Sequence, residues 1–227
     1  MPEHNISSMA LGIFILWFGW YGFNCGSTLG IIGSGGIAAK VAVNTTVAAS
    51  GGCLVGIIVA YRLERTFNVC VAMNGILAGL VSITASCAFV DPWMAFIIGT
   101  VGSSIHYAAR RLLHKLQIDD PLDAVPIHLF GGSWGLLCSG IFCTDQALQY
   151  AGYPNINDAC ASGRQFGTQF IGLLIITSWS AFFAIVYWQI AKVMVGLRVS
   201  AEMEEMGERC PIATASVIVI FDFSHLM

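Results

Sequence analysis

Long apolar runs, separated by short polar connections, occupy most of the chain. Six of these runs approach or exceed the ~20 residues that an α-helix needs to cross a bilayer. They lie at about 9–31, 37–60, 69–90, 92–113, 122–143 and 166–196. Inside a membrane a helix pairs all of its own backbone groups, so runs of this kind favour helices. The pattern predicts an all-α polytopic membrane protein with six transmembrane helices.

The composition and the distribution of charge support this prediction. Of the 227 residues, 56% are hydrophobic and 10% are charged, whereas about a quarter of a soluble domain is charged. The net charge of −3 gives no indication of nucleic-acid binding. Eight of the ten Lys and Arg residues fall on one side of the predicted topology, and Lys40 and Arg164 fall on the other. Because cytoplasmic loops are enriched in Lys and Arg, we expect both termini of the chain to be cytoplasmic.

The fifth run contains one ionisable side chain, His128, in an otherwise apolar stretch. We expect Asp120 to cap this helix, with Pro121 at its first position. His128 would then lie about 12 Å along the axis, near the middle of a hydrocarbon layer. Pro126 would fall inside the helix and kink it. An intramembrane histidine in a bent helix indicates a pathway through the membrane.

Small residues accompany this histidine and also fill the second run. Gly131, Gly132, Gly135 and Ser139 form one face of the fifth run. The second run is rich in Gly, Ala, Ser and Thr over 35–52. Small residues let neighbouring backbones approach closely in lipid, so both surfaces are predicted to pack tightly.

The first run has three polar or aromatic residues on one helix face. Trp20, Phe23 and Ser27 are spaced i, i+3 and i+7. Aromatic faces that end in a hydroxyl can hold a cation by cation–π attraction and a hydrogen bond. An interfacial aromatic belt is the alternative interpretation of the same pattern.

Other reactive side chains form no obvious metal or cofactor site. His106, Arg110 and His114 share one helix face and are typical of a solvated, basic interface. The eight cysteines include no C-x-x-C, and most lie in apolar runs as packing residues. The pairing to test is Cys143 with Cys160. Because the apolar runs offer His128 no second ligand at metal-binding spacing, a membrane enzyme is disfavoured.

Several motifs in order along the chain resemble the ammonium transporter family, specifically its eukaryotic branch. They are ILWFGWYGFNCGS at 15–27, AVNTT at 42–46, NGILAGLVSITASC at 74–87, DDPLDAVPIHLFGGSWG at 119–135 and GLRVS at 196–200. The resemblance extends over nearly all of 5–208, which we expect to be a partial transporter domain followed by an atypical tail at 209–227. It implies an eleven-helix fold of two inverted five-helix repeats and a final helix. The six runs are expected to be helices six to eleven, without the first repeat.

The resemblance also implies roles for individual residues. His128 matches the second pore histidine, and Phe23 a phenylalanine of the gate over the pore. Ser27 matches a serine that recruits ammonium, and Trp20 a pore-lining tryptophan. Asp123, and with it Asp120, has a supporting role near the inner end of the histidine helix. The implied function is transport of ammonium or ammonia through a pore within each subunit, with no enzyme activity, cofactor or metal.

The family further implies a multi-pass protein of the cell membrane that assembles as a homotrimer. Because only half of the fold is expected here, two alternatives stay open. The chain can be a non-conducting subunit that modulates full-length trimers, in a mixed trimer, or it can be an ammonium sensor. Ammonium and the lipid bilayer are the expected partners, and no nucleic acid is expected.

Overall fold

The computed structural model describes residues 5–30, 32–153, 160 and 163–194, and these ranges contain seven α-helices and one π-helical segment. The first four are α1 (Ile6–Gly26), α2 (Gly35–Glu64), α3 (Val69–Thr84) and α4 (Pro92–Lys115). The π-helical segment (Val125–Phe130) continues directly into α5 (Gly131–Ile141). The short α6 (Asp145–Tyr150) and the long α7 (Arg164–Met194) complete the order.

The predicted all-α fold is confirmed, and each of the six apolar runs contains one long helical segment. No strand occurs within the described ranges. By length and composition, α1, residues Gly35–Leu63 and α7 can cross a membrane, while α3 and Val125–Ile141 are shorter apolar helices. The hydrophobic pattern does not predict α6, which begins where the Thr144 side chain accepts a hydrogen bond from the Ala147 N–H at 3.2 Å. The predicted tail at 209–227 lies outside the described residues.

The chain divides into two units, Met1–Leu174 and Ile175–Met227. The second unit contains the C-terminal part of α7, where the rings of Trp179 and Phe183 lie 4.8 Å apart. The first unit contains α1 to α6 and the start of α7, and every site residue predicted from the sequence belongs to it.

Within the first unit, α2, α3 and α4 pack through glycine. A Cβ atom on Gly79 of α3 would lie 2.5 Å from the Ala48 carbonyl oxygen of α2, closer than any side chain tolerates. Gly75 stands in the same relation to the Gly52 carbonyl oxygen, also at 2.5 Å. Gly99 of α4 is pressed against the backbone of Ala48 as well. The predicted tight packing of the second run is therefore confirmed, since only hydrogen fits at these positions.

Polar side chains of the AVNTT motif join α2 to its neighbours. Asn44 is fully buried and donates to the Cys87 and Val90 carbonyl oxygens at 2.8 and 2.7 Å. Thr45 accepts a hydrogen bond from the Asn24 amide at 3.0 Å, and Thr46 shares one of 2.6 Å with the Tyr21 hydroxyl. Since these groups are buried or partly buried away from water, each pair supports the packing that surrounds it.

The loop after α5 is covalently closed. Cys143 and Cys160 form a disulfide with their Cα atoms 5.5 Å apart, which confirms the pairing singled out from the sequence. Three further cysteines, Cys70, Cys87 and Cys138, are buried, as the packing interpretation predicts.

Candidate functional site

The segment that carries His128 begins later than the sequence predicts. Asp120 does cap it, since its carboxylate accepts the Ala124 N–H at 3.0 Å and the Val125 N–H at 2.8 Å. Pro121, however, lies in the preceding turn, and the π-helix starts only at Val125. The prediction of Pro121 as first helical residue is wrong because the Asp120 carboxylate caps N–H groups four and five residues ahead. His128 is therefore roughly 5 Å from the helix start, so the predicted distance of about 12 Å along the axis is an overestimate.

Pro126 lies in the first turn of this segment, and not in the helix interior as predicted. It has no N–H to donate, and at this position none is required. Its carbonyl oxygen accepts the N–H of Gly131, five residues on, which is the π-helical spacing. Short π-helical segments occur frequently at functional sites. The π-helical segment thus contains His128, the residue that the sequence predicts to face a pore.

The two sides of the π-helical segment differ in burial. Pro126 and Ile127 are buried, and His128 and Leu129 are exposed. Further along, Gly131 accepts a hydrogen bond from the Ser82 hydroxyl at 3.3 Å. Pro126 and Ile127 therefore lie on the packed side of this element, and His128 and Leu129 lie on the exposed side.

The small-residue face that follows His128 packs as predicted. Gly135 lies against the backbone of Ser82 with no room for a Cβ atom. Ser139 is buried, and its hydroxyl lies 3.5 Å from the Ala85 carbonyl oxygen. These contacts fix the position of α5 on α3 and, with it, the position of the histidine segment.

The α1 residues predicted to share one face have different surroundings. The Trp20 indole N–H donates to the Thr84 hydroxyl of α3 at 2.9 Å, and this side chain is half-buried. Phe23 is 64% exposed. Ser27 follows the last residue of α1, is exposed, and donates to the Phe23 carbonyl oxygen at 2.7 Å. The structure thus ties Trp20 to α3 and leaves Phe23 and Ser27 accessible, as His128 is.

A buried polar cluster lies directly before the histidine segment, and we call it the Asp123 cluster. The Asp123 carboxylate oxygen Oδ2 is 2.8 Å from the Asn74 amide nitrogen, 3.4 Å from His106 Nε2 and 3.4 Å from Arg110 Nε. Asp123 itself is 6% exposed. A buried carboxylate is thus held by one donor from α3 and two from α4, with the charge of Arg110 beside it.

His106 therefore does not belong to a solvated basic face, and that prediction is wrong. Its side chain is fully buried between helices, and Arg110 is only partly exposed. Of the three residues, only His114 is well exposed. The i, i+4 spacing of His106 and Arg110 gives a shared face but does not tell which neighbour covers it. The signal that could have identified the cluster is Asn74, a polar residue in an apolar run.

These features define an all-α polytopic membrane protein, with helices joined by glycine contacts and buried hydrogen bonds. A family model described as Ammonium Transporter Family matches residues 1–210. The chain therefore belongs to the ammonium transporter family, which is a family of transporters and not of enzymes.

Individual relatives agree with this assignment. The chain is 35% identical to ammonium transporter Amt2 of Archaeoglobus fulgidus over 209 residues, which cover 91% of this chain and 44% of that protein. It is 34% identical to ammonium transporter 1 member 1 of Arabidopsis thaliana, covering 90% of this chain and 44% of that one. Identity to archaeal and plant proteins is similar, so the eukaryotic branch stays a prediction.

Solved structures show the same fold. Saccharomyces cerevisiae Mep2 superposes with a TM-score of 0.79 at 32% identity, covering 88% of this chain and 46% of Mep2. A structure described as a sensor Amt protein superposes with a TM-score of 0.77 at 33% identity, covering 89% of this chain and 48% of that one. The chain thus spans about half the length of the relatives that it matches.

Proposed function

We propose that this chain forms the second half of an ammonium-conducting subunit and that His128 faces its pore. The observation that carries the proposal is the exposure of His128 on a π-helical segment whose opposite side is packed and capped. An exposed histidine on a helical segment whose start is capped fits a group that serves a pathway.

The chemistry of ammonium fits the accessible residues. Moving a full charge bare through hydrocarbon is prohibitive. An aromatic face such as Phe23 and a hydroxyl such as Ser27 can collect the cation, with Trp20 beside them. Ammonium then gives up its proton to water or an imidazole, and neutral ammonia crosses the pore. A neutral imidazole at His128 suits such a pore because it both donates and accepts hydrogen bonds.

We propose in addition that Asp120 and Asp123 support the pore at the inner end of the helix that carries His128. Support comes from their contacts, since Asp120 caps the histidine segment and Asp123 anchors its start to α3 and α4. The assembled protein would be a multi-pass protein of the cell membrane with both termini of this chain cytoplasmic. It would form homotrimers, or mixed trimers with full-length subunits.

A second candidate function is ammonium sensing or modulation without conduction. Two observations favour it: the similarity to a protein described as a sensor, and the coverage of only about half of each relative. In this role the chain would bind ammonium near Phe23 and Ser27, or occupy a place in full-length trimers, without forming a complete pore itself.

Growth of a yeast strain that lacks its own ammonium transporters separates the candidates. The 227 residues expressed alone are expected not to support growth at low ammonium, because they supply half of the pore. The same residues fused behind the first repeat of a close relative are expected to restore growth. If the fusion reaches the cell surface but growth fails, conduction is wrong and the sensing role is favoured. If the chain alone restores growth, the half-pore proposal is wrong.

A further inference from the structure

The start of the histidine segment adopts a conformation that its own backbone does not favour. Asp123 has a φ of +53°, in the left-handed region that non-glycine residues rarely occupy. Aspartate tolerates this region better than most residues, yet the turn still needs support from its surroundings. Directly after it, the Asp123 carbonyl oxygen accepts the Ile127 N–H at 3.0 Å, which closes the first turn of the segment. The conformation of Asp123 thus sets the direction of the π-helical segment that carries His128.

The support comes through one carboxylate oxygen. Asn74 of α3 and both His106 and Arg110 of α4 reach Asp123 Oδ2. An ionised carboxylate oxygen can accept hydrogen bonds from more than one donor. Because an ionised carboxylate can only accept hydrogen bonds, His106 must carry its proton on Nε2.

The burial of His106 at this position costs free energy. Its side chain is 1% exposed, and its Nδ1 atom is buried with no hydrogen-bond partner among the described residues. Burial of an unpaired polar nitrogen costs free energy that an apolar side chain would not incur. The contact of Nε2 with the Asp123 carboxylate is the polar interaction that offsets this cost.

We propose that His106 is a positioning residue for His128. Its Nε2–H fixes the Asp123 carboxylate, the carboxylate holds the left-handed turn, and the turn sets the π-helical segment that presents the His128 imidazole. This role rests on the proposed function only in so far as His128 serves a pore. The mechanical link from His106 to residues 124–128 stands independently of transport.

Hydrogen exchange on the full chain in lipid nanodiscs, followed by mass spectrometry of the peptide around 124–128, tests the link. In His106→Leu the donor is lost, and exchange of these amides is expected to be about tenfold faster, as for loss of one hydrogen bond to a charged group. In His106→Gln the terminal amide can take the place of Nε2–H, and exchange is expected to stay within about twofold of the unchanged chain. The matched control is His114→Leu, the same change on an exposed position of the same helix, with no effect expected.

Equal exchange rates in His106→Leu and the unchanged chain would overturn the proposal. Exchange in His106→Gln as fast as in His106→Leu would overturn it as well. If His106→Leu does not fold, nitrogen NMR of the unchanged, histidine-labelled chain still decides. The proposal requires a proton on Nε2 of His106, and a His106 that carries its proton on Nδ1 alone contradicts it. Neither measurement involves transport, so a failure of the pore proposal is distinguishable from a failure of this one.

Discussion

Two regions of the first unit use their residues in opposite ways. In the interface of α2, α3 and α4, which we call the glycine interface, Gly79 and Gly99 allow the backbone of Ala48 to approach until no Cβ atom fits. The accessible set, by contrast, consists of Phe23, Ser27 and His128, all exposed. In the glycine interface, the close approach of the backbones limits the size of the residue at each position. In the accessible set, packing does not limit the side chain, and its chemical role does. Substitutions should accordingly cost stability in the first region and function in the second.

The largest expected effect is that of Gly79→Ala. The added Cβ atom would lie 2.5 Å from the Ala48 carbonyl oxygen, so α2 and α3 must separate. We expect a loss of stability on the order of 3 kcal/mol, measured by thermal unfolding in detergent. The control is Gly19→Ala on α1, where nothing beyond the adjoining helix backbone lies within 4 Å of the new methyl group. If both variants unfold at the same temperature, the glycine interface does not have the packing described.

A smaller loss is expected for Asn44→Ala in the same region. The change leaves the buried Cys87 and Val90 carbonyl oxygens without the amide that now bonds both. The expected cost is about 2 kcal/mol. Ser50→Ala serves for comparison, because the Ser50 hydroxyl is exposed and bonds only its own helix at Thr46. Similar unfolding temperatures for the two variants would show that Asn44 does not join the helices.

The smallest effect is expected at the ion pair between Lys40 and Asp91. Lys40 lies 3.4 Å from Asp91 and 5.1 Å from the ring centre of Tyr150, but the Asp91 side chain is 59% exposed. Lys40→Met should therefore cost less than about 1 kcal/mol. The difference should shrink further in high salt, which screens exposed charges. A loss as large as that of Asn44→Ala would mean that this pair is as important to the fold as the buried contacts.

The sequence predicts the glycine interface better than it predicts the surroundings of the site. Apolar length locates the helices, and the small residues of the second run and of 131–139 indicate where backbones meet. The same pattern misplaces the start of the histidine helix, because Pro121 at a first helical position is a common arrangement and the long reach of the Asp120 cap is not visible in one dimension. It also misplaces His106, since helical spacing gives a face but not the neighbour that covers it.

Asp123 shows why the site needed three-dimensional information. Its partners come from positions 49, 17 and 13 residues earlier in the chain, on two different helices. No local pattern relates Asn74 to Asp123, although each is unusual in its own stretch. The Cys143–Cys160 pair was predictable because both cysteines lie near one polar loop, a separation of 17 residues.

The central claim is that His128 serves a pore while the packing around it serves the fold. The most direct measurement is ammonium transport by a fusion of this chain with a first repeat, comparing His128→Ala with His114→Ala. Because His114 is exposed and His128 would face a cavity, both variants should assemble and unfold within about 0.5 kcal/mol of the parent. His128→Ala should change the transport rate, or the discrimination between ammonium and potassium, about tenfold, the scale of one lost polar contact. His114→Ala should leave both unchanged. Equal and small effects of the two substitutions would contradict the account.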